Sequence, residues 1–295
     1  MKQDIEDLPP PTRLLPSSTL SLMEVLYGVH PVEEALKAGR RRFDRVLVAE
    51  ERHDPRMDQL VARCREAGVR VSQESREQLT LAAHTAAHQG VVAYVRSQES
   101  LSIEDLFSAD PATTPGAARL LLALDGVEDP QNLGALLRVA DGAGVDGVVL
   151  TERRSAPLSP VAVKASAGAT EHLRVARVVN LVRALEELKR QNLWIIGLDE
   201  RGASDYDQFD LTCNCVLVLG REGAGLHNLV RRSCDHLLRI PMAGGVSSLN
   251  VAAAGAVVLY EAFRQRRVAA RGAEGKASPA AATSSKPRKQ KGLGS

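Results

Sequence analysis

Short apolar runs alternate with amphipathic stretches along most of this chain. Residues 45–49, 69–72 and 91–95 are rich in Val, Leu and Ala and read as strands. Between them lie helical signals. His30-Pro31 places a proline at a helix start, with Glu33 and Glu34 in the first turn and Gly39 just past the end. A second helix starts at Asp54-Pro55 and closes at Gly68, and a third stretch covers residues 75–83. Together they predict a compact α/β unit over residues 23–97.

A second series begins with the wholly apolar run at residues 120–124. A helix follows near residues 132–143, then a strand at 147–150, a helix opened by Ser159-Pro160, a short strand at 173–176, a helix at 181–191 and a strand at 193–198. Two more apolar strands, each running into a glycine-rich turn, precede a last helix rich in small residues. Apolar strands separated by helices predict a parallel sheet covered on both faces, here over residues 118–268. Three segments lack this periodicity. Residues 1–22, with Pro9-Pro10-Pro11, are expected to be a disordered leader. Residues 98–117 are expected to be a polar linker, and residues 269–295 a disordered basic tail.

Charge changes the picture only locally. The formal net charge is +2, yet residues 269–295 hold six Lys or Arg against one acid, Glu274, leaving 32 basic and 35 acidic side chains in residues 1–268. The body is therefore not globally basic, and any affinity for nucleic acid must come from local patches or the tail. Nine aromatic side chains in 295 residues argue against recognition by base stacking. No run of about 18 apolar residues is present to span a bilayer, and the N-terminus has no apolar signal core, so a cytoplasmic protein is expected. The four cysteines form no Cys-x-x-Cys pair; Cys213-x-Cys215 has the wrong spacing for structural zinc, and no metal is expected.

One motif match fails on context. Gly142-Ala143-Gly144-Val145-Asp146-Gly147 satisfies G-x-G-x-x-G, but it ends a helix and precedes a strand, the reverse of a dinucleotide site. Gly144 as a helix-terminating glycine explains it better. The two late glycine turns are different. Val216-Leu217-Val218-Leu219-Gly220-Arg221-Glu222-Gly223-Ala224-Gly225 and Leu238-Arg239-Ile240-Pro241-Met242-Ala243-Gly244-Gly245-Val246-Ser247-Ser248-Leu249-Asn250 each follow a strand. Glycine lets main chain approach a ligand where a Cβ would collide, so neighbouring turns of this kind make a cleft lined by backbone. Upstream, Asp125-Gly126-Val127-Glu128-Asp129-Pro130-Gln131-Asn132-Leu133-Gly134 leads to Arg138, which lies off the apolar stripe of Leu133, Leu136, Leu137 and Ala140. Arg138 is thus either a solvated arginine or one aimed into a cleft. Glu222 can cap backbone or act on a ligand. Ser247, Ser248 and Asn250 can start the last helix or belong to a site. Arg40-Arg41-Arg42 is either a solvated face or a phosphate contact.

These three segments, in this order, resemble the SpoU/TrmH family of RNA ribose 2′-O-methyltransferases. Tyr27-Gly28-Val29-His30-Pro31 and His88-Gln89-Gly90-Val91 are similar to that family's N-terminal substrate-binding domain, itself similar to ribosomal protein L30e. Arg154-Ser155-Ala156 and residues 164–171 resemble the branch that methylates a guanosine of bacterial 23S rRNA; a tRNA-directed relative is the alternative, and a non-catalytic RNA-binding assembly factor on the same fold a further one. The resemblance implies an α/β protein with a C-terminal trefoil-knotted (SPOUT) domain, a homodimer, S-adenosylmethionine as cofactor and RNA as substrate. It implies Asn132, Arg138, Glu222, Ser248 and Asn250 as the reaction site, and Leu219, Gly220, Ile240, Met242 and Leu249 around the cofactor. It also implies that Arg138 serves the pocket of the opposite protomer.

Overall fold

The computed structural model describes residues 23–52, 54–97, 101–107 and 118–277, the last five without their side chains. The leader expected at residues 1–22 and the last part of the basic tail lie outside these residues.

The N-terminal unit contains strand β1 (Met23–Tyr27), helix α1 (Val29–Ala38), β2 (Phe43–Ala49), α2 (Pro55–Glu66), β3 (Arg70–Glu74), α3 (Arg76–Ala83) and β4 (Val91–Arg96). Its sheet runs β1-β4-β2-β3, antiparallel except for the parallel β2–β3 pair. Helix starts follow the local chemistry. Asp54 accepts from the Arg56 and Met57 amides ahead of Pro55, and Ser75 with Gln78 forms a reciprocal capping box. Gly39 ends α1 in the left-handed conformation at φ 63°.

The second unit continues with β5 (Leu120–Leu124), α4 (Pro130–Gly142), β6 (Gly147–Thr151), α5 (Pro160–Ala165), β7 (Val175–Val178), α6 (Leu181–Arg190), β8 (Trp194–Leu198), β9 (Ser204–Asp205), β10 (Cys215–Leu219), α7 (Asn228–Ser233), β11 (His236–Arg239) and α8 (Val251–Ala277). All seven strands are parallel, in the order β7-β6-β5-β10-β8-β11-β9. Helices α4 and α8 cover one face through Leu133, Leu136, Leu137, Val258 and Leu259, while α6 and α7 cover the other through Leu185, Leu188 and Val230. Because both faces are covered, β5 and β10 are buried at every residue. β10 inserts between β5 and β8, so the C-terminal edge of the sheet gathers turns that lie far apart in the chain. Such a reversal of strand order is where open α/β sheets hold ligands.

Three expectations change and a fourth holds. Within the stretch expected as a linker, Leu101 pairs with Ala176 on β7, and Ile103 and Leu106 are buried against the second sheet, so residues 101–107 are packed rather than spanning. The last helix does not stop near residue 268 but runs to Ala277, into the expected tail. The helix expected from near residue 132 starts two residues earlier. Asp129 caps α4 and Pro130 opens it, which places Asn132 in the first helical turn. Gly144, at φ 71°, follows α4 and precedes β6, as expected for a terminator rather than a dinucleotide loop.

The arginine triplet also departs from a solvated face. Arg41 is 8% exposed and its Nε donates to Glu171 Oε2 at 2.6 Å, while the same guanidinium pairs with Glu24. Glu171 is fully buried in the second unit, so this ion pair docks the two units. Nearby, His172 Nε2 meets Glu34 Oε2 at 2.8 Å, and Lys164 Nζ donates to the Ala87 carbonyl at 2.7 Å. Arg41→Ala strips a buried carboxylate of its guanidinium, and such losses cost about 3 kcal/mol or more. Urea unfolding of the variant should show that loss, whereas Arg42→Ala, at an exposed position, should show almost none.

The four cysteines are unpaired, and burial pushes the Cys64 thiol up to about 11, so it is inert at neutral pH.

Candidate active site

Three of the expected site residues meet although they come from three distant segments. Asn132 stands in the first turn of α4, Glu222 in the turn after β10, and Asn250 immediately before α8. Asn132 Nδ2 donates to Glu222 Oε2 at 3.0 Å. Asn250 Nδ2 donates to Glu222 Oε1 at 3.3 Å and to Asn132 Oδ1 at 3.0 Å. Asn250 Oδ1 accepts the Ala252 amide at 2.9 Å and so caps α8. The network fixes its own orientation. A carboxylate only accepts, so both amides must turn their NH2 groups toward Glu222. Asn250 therefore caps a helix and builds the site together; the two readings of it are one arrangement.

A pocket opens beside this cluster at the ends of β8, β10 and β11. Leu219, Gly220, Ile240, Met242 and Leu249 line it, as do Ser247, Ser248 and Glu222. Gly220 is essential to its shape. A Cβ there would lie 2.3 Å from the Gly225 carbonyl carbon and 2.5 Å from the Leu226 nitrogen. The turn closes on itself through Arg221 N to Gly225 O at 3.1 Å and Gly225 N to Arg221 O at 2.9 Å, with Gly223 and Gly225 at positive φ. The result is a slot with Leu219, Ile240, Met242 and Leu249 on its apolar walls and charged side chains and the tight main-chain turn around it, a fit for a flat heterocycle read by its edges. Among the carboxylates at the rim, Glu222 would complement a cationic centre.

The floor of this corner is tied down by a second pair. Asp125, 4% exposed at the end of β5, accepts from the His227 amide at 2.7 Å and meets His227 Nδ1 at 2.8 Å. That clamp holds the loop leading to Asn132 against the turn carrying Glu222.

Arg138 stands apart. It is exposed, it does not line the pocket, and among the described residues it makes no recorded polar contact. Six residues along an α-helix are about 9 Å of rise and a rotation of about 240°, so Arg138 faces well away from Asn132 and its cluster. Within one chain it does not join the site.

The sequence reading also missed a wall. Asp199, Glu200 and Arg201, at the end of β8, line the pocket. Their signal was the charged turn before Gly202, where a Cβ would sit 2.4 Å from the Leu238 carbonyl carbon of β11.

Residues 119–260 match the SpoU rRNA Methylase family, and residues 25–101 match the family described as RNA 2′-O ribose methyltransferase substrate binding. The chain is 41% identical over 243 residues to the 23S rRNA (guanosine-2′-O-)-methyltransferase RlmB of Vibrio vulnificus, an alignment covering 82% of this chain and 97% of that one. It is 42% identical over 250 residues to the protein of the same name from Pseudomonas syringae, covering 84% and 98%. Among solved structures, the SpoU methyltransferase AviRb from Streptomyces viridochromogenes, in complex with AdoMet, superposes with a TM-score of 0.71 at 27% identity, covering 85% of this chain and 93% of that one.

Proposed function

The chain belongs to the SpoU rRNA methylase family, and we propose that it methylates the ribose 2′-oxygen of a guanosine in 23S rRNA, using S-adenosylmethionine. The observation that carries this reading is the likeness to the guanosine-2′-O-methyltransferases over 97% of the length of one such relative, in a chain whose motif residues, Arg138 apart, gather at one pocket and the cluster beside it. The AdoMet-bound neighbour supports the choice of cofactor, and so does the slot that a Cβ at Gly220 would destroy.

S-adenosylmethionine supplies a methyl group already activated by its sulfonium charge. The protein must therefore bring the ribose oxygen into line, which alone lowers such barriers by up to about 7–11 kcal/mol, and assist loss of its proton. In this reading Leu219, Gly220, Ile240, Met242 and Leu249 hold the cofactor. Asn132, Glu222, Ser248 and Asn250 orient the ribose: the two amides are fixed by Glu222, and Ser248 stands exposed at the pocket's edge. A guanidinium stays protonated in proteins, so Arg138 acts as a cation that anchors a substrate phosphate and stabilises developing alkoxide charge. Its place outside the pocket of its own chain supports supply across a homodimer, and threading of the C-terminal segment as a trefoil knot belongs to the same reading. Action in the cytoplasm, where ribosomal RNA is made and matured, follows from the substrate.

Calorimetric titration with S-adenosylmethionine and transfer of its labelled methyl group to 23S rRNA transcripts test the proposal together. Saturable binding with transfer is expected; binding without transfer to any RNA would favour a non-catalytic RNA-binding role.

A further inference from the structure

Outside the pocket, the strongest unassigned feature is a basic path leading to it. Between the two units lies a cleft of about 590 Å³ lined by Arg40, Arg41, Arg174 and Arg177 against one acid, Glu24. Glu24 is occupied by Arg41, which is itself buried against Glu171. Arg174 donates to the Asp105 carbonyl. Arg40 gives one nitrogen to the His172 carbonyl at 2.8 Å and has no acidic partner among the described residues. Arg177, on β7, likewise shows none. The cleft's free charge therefore rests on Arg40 and Arg177.

The same cleft is bordered by Pro157 and Leu158, the end of the loop that follows β6. That loop carries Arg153 and Arg154, both exposed and without acidic partners among the described residues. It is not a floppy insertion. Glu152 N donates to the Val178 carbonyl at 2.9 Å, and Ala156 N donates to the Val127 carbonyl at 2.8 Å. Arg154 is held at φ 55°, a conformation that disfavours any residue with a Cβ. The loop is thus pinned on one side to the strand beside the cleft and on the other to the segment that leads into Asn132. Neighbouring strands are about 4.8 Å apart, so β7 and β10 are separated by about 14 Å, a span that a few nucleotides of single strand bridge.

We propose that Arg40, Arg177, Arg153 and Arg154 bind phosphodiesters of the substrate RNA, guiding a single-stranded segment from the cleft between the units to the Asn132–Glu222–Asn250 cluster. This rests on the methyltransferase reading for the identity of the RNA, but its test does not depend on catalysis. The path explains how a body with a net negative charge grips a polyanion: the positive charge is local and aligned with the site.

The test compares wild type with the triple variant Arg153→Ala, Arg154→Gly, Arg177→Ala, with Arg154→Gly alone, and with Arg183→Ala as a control arginine on α6, across the sheet. Glycine at residue 154 removes the side chain while easing the backbone, so loss of folding does not confuse that variant. Affinity for a 23S rRNA transcript is measured across a salt series, alongside calorimetry with S-adenosylmethionine. Each lost phosphate contact reduces the slope of log affinity against log salt by about 0.7 for single strands. The triple variant should therefore lose about two in slope and bind RNA at least tenfold more weakly at about 150 mM salt, with cofactor affinity unchanged. Arg154→Gly alone should lose about 0.7, and Arg183→Ala nothing. An RNA affinity and slope in the triple variant equal to those of Arg183→Ala would overturn the proposal. A wild-type protein that methylates no RNA would instead count against the functional reading, while the salt slopes would still decide this one.

Discussion

Arg138→Ala should reduce methyl transfer by roughly 10²–10³-fold, the scale seen when one preorganised donor to developing negative charge is removed, while leaving the affinity for S-adenosylmethionine nearly unchanged. The reason is geometric. Arg138 lies outside the pocket lined by Leu219, Gly220, Ile240, Met242 and Leu249, so its loss leaves the cofactor's walls intact. Calorimetry beside a methylation assay separates the two effects. An Arg138→Ala protein that no longer binds the cofactor would show that the guanidinium supports the pocket rather than the reaction.

The opposite separation is expected at Gly220. Even alanine there places a Cβ 2.3 Å from the Gly225 carbonyl carbon, a clash with backbone that the turn can relieve only by opening. Gly220→Ala should abolish measurable cofactor binding and activity together. The two dead variants then offer a sharper experiment. If Arg138 serves the pocket of the other protomer, a mixed dimer of Arg138→Ala with Gly220→Ala contains one site with both an intact pocket and an intact arginine. Co-refolding the pair should restore up to about half the wild-type activity per mixed dimer, since one of its two sites is whole. Mixed dimers that assemble and stay inactive would place each site within a single chain.

Much of this architecture was legible because its cues are local. Apolar runs such as residues 120–124 and 216–219 announce strands buried on both faces, and Asp54-Pro55, Ser159-Pro160 and Asn250 announce helix starts that the structure shows capped by those side chains. The glycine turn at Gly220 was legible for the same reason: a backbone that must touch itself leaves no room for a side chain.

What the sequence hid depends on docking. Arg41 sits between two other arginines and reads as solvated, but its partner Glu171 is 130 residues away and meets it only when the units pack. Leu101, Ile103 and Leu106 lie in a polar stretch with no clear period, and their burial follows from the exposed edge of β7, which Leu101 completes. Asp199 to Arg201 carry no glycine motif. They reach the pocket because β8 lies directly beside β10, an adjacency set by strand order rather than by spacing along the chain. Arg138 was singled out by its place off the apolar stripe, but that pattern alone could not say which protomer's pocket it faces.

The most direct measurement is to incubate purified protein with S-adenosylmethionine and an unmodified 23S rRNA transcript, digest the RNA and locate ribose-methylated nucleotides by mass spectrometry. The account predicts one methyl group on the 2′-oxygen of a single guanosine, absent when Arg138→Ala replaces the wild type. A methyl group on a base, or no methyl group on 23S rRNA when another RNA is modified under the same conditions, would contradict it.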